Sequence, residues 1–201
     1  AITDTFDIVI ANTNDAPTGW AGTYTGACED CYYPLANLGT FGFTDDDTGD
    51  SLVSITFQSP TAGTLWVDTD SSGLLDNGEV IVGSGGTVAL ADLANLLWLP
   101  PANANSYYNG LNFMTVDYTL SDGTDSSITY TFTLRVTGMN DAPTVETAQV
   151  DVTTDEDTAY SLDVSGNFAD VDTDDTLTFT ATGLPSTMTM STAGVLSGTP
   201  L

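Results

Sequence analysis

Short segments of alternating apolar and polar residues recur along this chain. Alternation with a period of two is typical of half-buried antiparallel strands, because successive side chains of a strand point to opposite faces of the sheet. Turn signals such as Asp122-Gly123 separate the segments at short spacing. The alternating segments are residues 6–10, 54–57, 114–120, 128–136 and 177–181. This arrangement predicts an all-β chain folded as an antiparallel β-sandwich.

The sequence repeats itself at two places, and the repeat sets the predicted domain boundaries. Residues 5–18 align with residues 131–144, and each copy is a predicted strand followed by the segment Asn-Asp-Ala-Pro-Thr. Such a segment suits a joint between domains, because proline stiffens the chain and the asparagine and aspartate side chains supply oxygen atoms. We therefore predict the last strand of a preceding domain at 1–13, a linker at 14–18, a complete domain at 19–139, a second linker at 140–144 and an incomplete domain at 145–201.

Between residues 68 and 79 the oxygen-bearing residues recur with the spacing of a calcium-binding loop. They occupy the first, third, fifth, seventh, ninth and twelfth places, with Gly73 at the sixth. The predicted ligands are Asp68, Asp70, Ser72, the carbonyl of Leu74, Asp76 and Glu79. The flanking residues 63–67 and 80–82 are rich in β-branched and apolar types, which favours strands over the helices of an EF-hand. We predict a Ca2+ site at the tip of a β-hairpin; the alternative is an acidic turn that binds no ion.

The charge of the chain gives a second reason to expect bound cations. Its 28 aspartates and glutamates face a single basic residue, Arg135, and the formal net charge is -27. Clustered carboxylates destabilise a compact state unless cations or high ionic strength offset their repulsion. Nucleic acid is excluded as a direct partner, because phosphates are bound mainly by lysine and arginine. Membrane insertion is not expected, because the longest apolar runs, such as residues 96–100, are too short to span a bilayer.

The residue inventory argues against an enzyme. The chain has no histidine and its one basic residue is an arginine, which excludes a Ser/His/Asp triad and a lysine Schiff base. The paired carboxylates of a glycosidase are the remaining alternative. They would need one carboxyl group kept protonated in a cleft, and no glutamate stands apart from the acidic, hydrophilic turns around it. We expect a non-enzymatic protein.

Cys28 and Cys31 are the two cysteines of the chain and form a CxxC sequence. The glycine, aspartate, tyrosine and proline residues around them do not suit the helix that a thioredoxin-like motif begins. A zinc site would need further cysteine or histidine ligands, which the chain lacks. We predict a local disulfide that shapes its loop in an exported protein. An exposed redox pair and an intermolecular crosslink remain as alternatives.

Several motifs together resemble a known class of repeat. These are the two Asn-Asp-Ala-Pro-Thr joints, the hairpin at 63–81, Leu-Pro-Pro-Ala-Asn-Ala-Asn at 99–105 and Val-Asp-Tyr-Thr-Leu-Ser-Asp-Gly-Thr at 116–124. They resemble the cadherin-like tandem repeats of giant bacterial surface adhesins, many of them exported by type I secretion. Residues 168–200 look like the first half of a dystroglycan-type cadherin-like domain. The resemblance implies Greek-key sandwiches of the Ig or cadherin type in tandem, stiffened by Ca2+ and located at the extracellular cell surface.

The same resemblance implies that acidic residues meet near the two joints. One expected set is Asp141 and Glu156 with Asp170, Asp172 and Asp174. At the first joint the expected set is Asp15 with Asp45 and Asp47, because Asp45 follows Phe43 much as Asp170 follows Phe168. Each set would bind an interdomain ion and fix neighbouring repeats of the same polypeptide. The alternative is that these acidic turns only keep the surface hydrated.

A second function is ligand recognition by aromatic side chains. The candidates are Trp20, Tyr32, Tyr33, Tyr107 and Tyr108, which could stack on a carbohydrate or contact a protein surface. The alternative is that these rings fill the core of a small β-domain.

A third function is assembly of copies of the chain. The incomplete domain at 145–201 would expose strand edges, and residues 1–13 of another copy could complete it by donor-strand exchange. The chain would then be a filament subunit. We favour the simpler interpretation, in which the chain is a section of a longer array for cell adhesion.

Overall fold

The computed structural model describes residues 3–104, 114–172 and 174–201. The chain divides into two units, Ala1–Met139 and Asn140–Leu201. Strands dominate both units, and the helices of the described part are short 3-10 segments. None of these helices is long and apolar enough to pass through a bilayer. The predicted all-β fold is confirmed.

Two sheets make up the described part of the first unit. Its strands are β1 (Gly22–Cys28), β2 (Tyr33–Pro34), β3 (Ser54–Phe57), β4 (Thr64–Val67), β5 (Val80–Ile81), β6 (Gly86–Ala89), β7 (Leu96–Leu99), β8 (Met114–Ser121) and β9 (Tyr130–Thr137). One sheet has the order β1-β9-β8-β3-β6 and the other the order β2-β7-β4-β5. Strands that follow each other in the chain repeatedly change sheet, as is typical of Greek-key sandwiches.

The two sheets of the first unit share a hydrophobic core. Ile55 and Leu120 contribute to it from the five-stranded sheet, and Leu65 and Trp98 contribute from the four-stranded sheet. Phe41, from a connecting segment, packs edge-on against three other aromatic rings of this core. Leu65 of β4 and Val82, directly after the exposed strand β5, both belong to this core. The core therefore anchors the chain on either side of the loop that contains the predicted calcium ligands.

Three predicted strands of the first unit are confirmed. Residues 54–57 form β3, residues 114–120 lie within β8, and residues 128–136 overlap β9. Along β8 every second side chain is buried over all eight residues. The period-two pattern thus identifies which side of each strand faces the core.

One strand pair has a direction that alternation could not predict. β1 lies parallel to β9, from Gly22 beside Phe132 to Cys28 beside Thr137. The other described pairs are antiparallel. Gly26, with a φ of 120°, lies where the register between β1 and β9 shifts. Alternation reports which face of a strand is buried, and it carries no information about strand direction.

The second unit contains two small sheets. Its strands are β10 (Thr144–Val145), β11 (Tyr160–Asp163), β12 (Phe168–Ala169), β13 (Met188–Met190) and β14 (Val195–Gly198). β10 pairs with β12, and β14 lies between β11 and β13. All of these pairs are antiparallel.

Two predicted strands differ from the structure. Residues 177–181 have irregular backbone, although Phe179 donates its N–H to the Thr192 carbonyl and packs edge-on against Phe168. Their alternation therefore reflects half-burial of two apolar side chains without a hydrogen-bonded ladder. Residues 6–10 form no strand among the described residues, and the four apolar side chains of that segment are at least 75% exposed. Their assignment to a preceding domain stays a prediction.

Asp163 at the end of β11 provides a pH-dependent test of the second unit. The hydroxyl and the N–H of Ser165 donate to Asp163 Oδ1 at 2.7 and 2.9 Å, and these bonds lower the pKa of Asp163. A depressed folded-state pKa contributes stability that is present above the unfolded-state pKa and is lost as the pH falls through the folded-state value. Asp163→Ala should therefore lower the Tm of the second unit at neutral pH, and the difference from wild type should shrink in acid. Asp151→Ala, at an exposed aspartate of the same unit, is the control. A Tm difference at Asp163 that persists unchanged below pH 3 would contradict this account.

Candidate metal centre

The loop of residues 68–79 joins two paired strands. Trp66 lies opposite Ile81 and Val67 lies opposite Val80, so that the loop closes an antiparallel hairpin as the sequence predicts. The first residue of the loop, Asp68, donates its N–H to the Asn95 carbonyl at 2.9 Å. The loop is therefore tied both to its own hairpin and to the segment that precedes β7.

Asp68 is the residue around which the loop backbone curls. It is only 5% exposed, although most of the loop is exposed. Its Oδ1 accepts the Ser71 N–H at 2.7 Å and its Oδ2 accepts the Gly73 N–H at 2.9 Å. Gly73 has a φ of 74°, a conformation that glycine adopts without strain. The glycine at the sixth place thus lets the backbone turn toward the first carboxylate.

The other predicted ligands lie along the same turn. Ser72 Oγ donates to the Leu74 carbonyl at 3.1 Å and lies 3.5 Å from Asp76 Oδ2. Glu79 spans the mouth of the loop, because its Oε1 accepts the Thr69 N–H at 2.9 Å and its Oε2 accepts the Asp76 N–H at 3.0 Å. Both carboxylate oxygens of Glu79 therefore contact the backbone of the loop.

Three carboxylates of the loop converge. The carboxylates are those of Asp68, Asp70 and Glu79, and each places one oxygen within 4.8 Å of an oxygen of the other two. A carboxylate oxygen that accepts one N–H keeps a second lone pair available for a cation. Asp76, another predicted ligand, does not belong to this carboxylate cluster. Three converging carboxylates in a loop with the twelve-residue spacing suit Ca2+, which prefers oxygen ligands in adaptable geometry. The residues present therefore match the chemistry of a calcium ion.

Electrostatics keep the central carboxylate ionised. Burial raises the pKa of Asp68, but the N–H groups of Gly73, Ser71 and Ser72, together with Asp70, lower that pKa by more in total. Its pKa therefore lies below the usual aspartate value. Asp68 consequently carries its negative charge at neutral pH and needs to release no proton before it binds a cation.

A second acidic cluster lies at the first Asn-Asp-Ala-Pro-Thr segment. One oxygen each of Asp45, Asp47 and Asp50 lie within 4.8 Å of one another. Asp47 Oδ2 accepts the Asp15 N–H at 2.6 Å, its Oδ1 accepts the Asn12 side-chain amide, and its own N–H donates to Asp45 Oδ1 at 2.9 Å. Asp45 and Asp47 of the predicted set thus lie together within the first unit, whereas Asp15 contributes its backbone N–H and its carboxylate is not part of this cluster.

The second unit repeats this arrangement at its own Asn-Asp-Ala-Pro-Thr segment. Asp172 Oδ2 accepts the Asp141 N–H at 2.7 Å, and the Asp172 N–H donates to Asp170 Oδ1 at 3.0 Å. Asp170, Asp172 and Asp175 each bring one oxygen within 4.8 Å of the others. The two units therefore share one local structure, in which the joint aspartate donates its N–H to the second aspartate of an Asp-x-Asp turn.

The structure also adds residues that the sequence prediction missed. Asp50 and Asp175, rather than Asp174, complete the two clusters, and the shared spacing of carboxylates at i, i+2 and i+5 is the signal that could have found them. Glu156 is exposed and belongs to none of the carboxylate clusters of the described residues.

Glu29 is a buried acidic residue that the sequence prediction did not single out. It is 1% exposed, and its Oε1 accepts the Met139 N–H. Its buried Oε2 has no hydrogen-bond partner among the described residues, and no sequence signal marks this position.

The predicted aromatic contacts lie in different environments. Trp20 is half-buried and packs against Tyr24, with ring centroids 5.3 Å apart. Tyr33 is half-buried and packs against the core, whereas Tyr32 is 49% exposed. Tyr107 and Tyr108 lie outside the described residues. The rings of this set therefore do not form one exposed platform within the described part of the chain.

Cys28 and Cys31 are joined by a disulfide in the structure, with Cα atoms 5.5 Å apart. Cys28 is the last residue of β1, and Cys31 is separated from β2 by Tyr32 alone. The small ring therefore lies where the chain passes from one sheet to the other.

Charge repulsion in the first acidic cluster predicts a stabilising substitution. Burial and then the charges of Asp45, Asp47 and Asp122 raise the pKa of Asp50. In EDTA at neutral pH, Asp50→Asn should therefore raise the Tm of the first unit, because it removes one of the repelling charges. Asp46→Asn, at an exposed neighbour outside the cluster, is the control and should leave Tm nearly unchanged. A lower Tm for Asp50→Asn than for wild type would show that repulsion is not what dominates at this cluster.

Comparison with known proteins bears on the second unit. A family model described as "Putative Ig domain" matches residues 142–201. No curated protein matches the chain. The match supports an Ig-like domain in this part of the chain, in agreement with the all-β sheets described above.

Proposed function

We propose that this protein is a calcium-stiffened structural repeat of an extracellular adhesin or surface fibre. The observation that carries the proposal is the convergence of Asp68, Asp70 and Glu79, one oxygen each within 4.8 Å, in a loop with the twelve-residue calcium spacing. An Ig-like domain at 142–201 fits a module of this kind. The protein acts by structure and by contact with neighbouring repeats of its polypeptide, without catalysis.

Calcium has two roles in this proposal. In the loop, one ion would neutralise the carboxylates of Asp68, Asp70 and Glu79, which accept backbone N–H groups. The two joint clusters are further sites, and the buried Asp45 Oδ2, which has no hydrogen-bond partner among the described residues, supports the first of them. Cations at the joints would fix the linkers at 14–18 and 140–144 and hold the repeats in an extended array. Without bound cations, the repulsion implied by a net charge of -27 would favour loosening of the linkers and of the array.

Calcium titration of the metal-stripped protein tests the loop. Isothermal titration should give a Kd of about 10⁻⁴–10⁻³ M, as in other extracellular calcium modules. At about 100 times Kd, the ion should add about 2.7 kcal/mol to the free energy of unfolding. Asp68→Asn should remove this binding component, because it removes the central charge. Asp92→Asn, at an exposed aspartate outside the loop, should titrate as wild type. A wild-type Tm that is the same in EDTA and in calcium would overturn the proposal.

Limited proteolysis tests the proposed effect on the joints. Proteinase K should cut within residues 140–144 faster in EDTA than in saturating calcium, because an unfixed linker reaches the extended conformation that a protease needs. Magnesium at the same ionic strength is the control for general screening. Equal cutting rates in EDTA and calcium would contradict a stiffening role, even if the hairpin loop binds the ion.

A further inference from the structure

An aromatic side chain from outside the hairpin covers the sixth place of the candidate calcium loop. A Cβ atom added at Gly73 would lie 2.5 Å from Cε1 and 2.9 Å from Cζ of Tyr32. The ring therefore lies directly against the Gly73 backbone. Gly73 is buried, although the residues on either side of it, Ser72 and Leu74, are exposed.

The covered residue donates a hydrogen bond that shapes the loop. The Gly73 N–H donates to Asp68 Oδ2 at 2.9 Å, and this bond is among those that lower the pKa of Asp68. The ring lies where a Cβ of Gly73 would stand, and Gly73 is buried, so competing water has little access to the residue that donates this bond. Such shielding strengthens a hydrogen bond, because the local dielectric is lower than in solvent.

The position of Tyr32 is fixed from both sides. Before it, Cys28 pairs with Thr137 in the five-stranded sheet, and the Cys28–Cys31 disulfide closes the short ring that ends next to Tyr32. After it, Tyr33 pairs with Trp98 in the four-stranded sheet. The backbone of Tyr32 is therefore restrained independently of the calcium loop that its ring covers.

We propose that Tyr32 is a positioning residue for the calcium loop and that the Cys28–Cys31 ring is the brace that holds it. The ring of Tyr32 presses Gly73 toward Asp68 and orders the turn before a cation arrives. This inference rests on the proposed calcium loop. It gives the CxxC segment a role that its sequence does not indicate, and it explains why Tyr32 contacts the loop although the residue is exposed.

The expected effect follows from preorganisation. A loop that is ordered in advance loses less conformational entropy when it binds an ion. Groups outside the ligand set that orient ligands commonly change metal affinity by about 10–100-fold when they are mutated. The ring atoms Cε1 and Cζ lie nearer the Cβ position of Gly73 than the hydroxyl, which is 3.1 Å away and donates no hydrogen bond in the described structure. Phenylalanine should therefore keep most of the contact and replace tyrosine without measurable loss.

The experiment compares four variants of the full chain with wild type: Tyr32→Phe, Tyr32→Ala, the double variant Cys28→Ser/Cys31→Ser, and Asp68→Asn, which identifies the loop component of a calcium titration. Tyr32→Ala should raise the Kd of that component about tenfold. Tyr32→Phe should match wild type, and the double variant should weaken binding in the same direction as Tyr32→Ala. The Tm of each variant in EDTA reports whether it folds.

A measurement without calcium keeps the inference testable on its own. In EDTA, hydrogen exchange at the Gly73 amide should be faster in Tyr32→Ala than in Tyr32→Phe, because the alanine leaves the amide open to water. Equal exchange rates in the two variants would overturn the role of the ring.

The outcomes separate this inference from the proposed function. If wild type and Asp68→Asn titrate alike, the loop is not the calcium site and the proposed function fails. If Asp68→Asn loses binding while Tyr32→Ala keeps the wild-type Kd, the proposed function stands and the positioning role is wrong. A lower Tm of Tyr32→Ala in EDTA with an unchanged Kd would likewise show that Tyr32 only stabilises the fold. An unchanged Kd in the double serine variant would refute the brace.

Discussion

The hydrogen bond from a backbone N–H to a carboxylate is the interaction on which the arrangement of this protein depends. The chain has one basic residue, and many acidic side chains of the described residues are bonded by backbone amides instead. Asp68, Glu79, Asp47 and Asp172 each accept such bonds. An amide orients a carboxylate but does not cancel its charge. These bonds therefore hold carboxylates close together in the hairpin loop and in the two acidic clusters. The negative charge there is left to be balanced by ions from solution.

The same bond explains why the two joints look alike. In each unit an Asn-Asp-Ala-Pro-Thr segment donates one aspartate N–H to an Asp-x-Asp turn, at 2.6 Å in the first unit and 2.7 Å in the second. The rest of the two units differs in size and in sheet arrangement. The joint is thus a local structure that does not depend on the size of the unit that follows it. Its acidic composition follows from its geometry, because the turn needs side-chain oxygens to accept the incoming amides.

Local patterns predicted local features well. The alternation in β8 predicted its buried face, and the β-branched and apolar residues on either side of the loop predicted the β4–β5 hairpin that the loop closes. These features depend on a few neighbouring residues. The third carboxylate of each acidic cluster, at i+5, also lies within reach of a local pattern. The parallel pairing of β1, in contrast, depends on a segment that is distant in sequence, and the irregular backbone at 177–181 depends on the absence of a ladder partner in the described structure. Hydrophobic period and ligand spacing contain no information about such partners.

The parallel pairing of β1 and β9 has a mechanical consequence. β1 is the first strand of the described part of the first unit, and β9, which ends at Thr137, is its last strand. A pull applied to the two termini acts in opposite directions along neighbouring strands and would slide one past the other. Their inter-strand bonds would bear the load simultaneously in shear, whereas strands peeled from one end lose their bonds one by one. A tether built from such units would resist tension at the strand pair that joins its points of attachment.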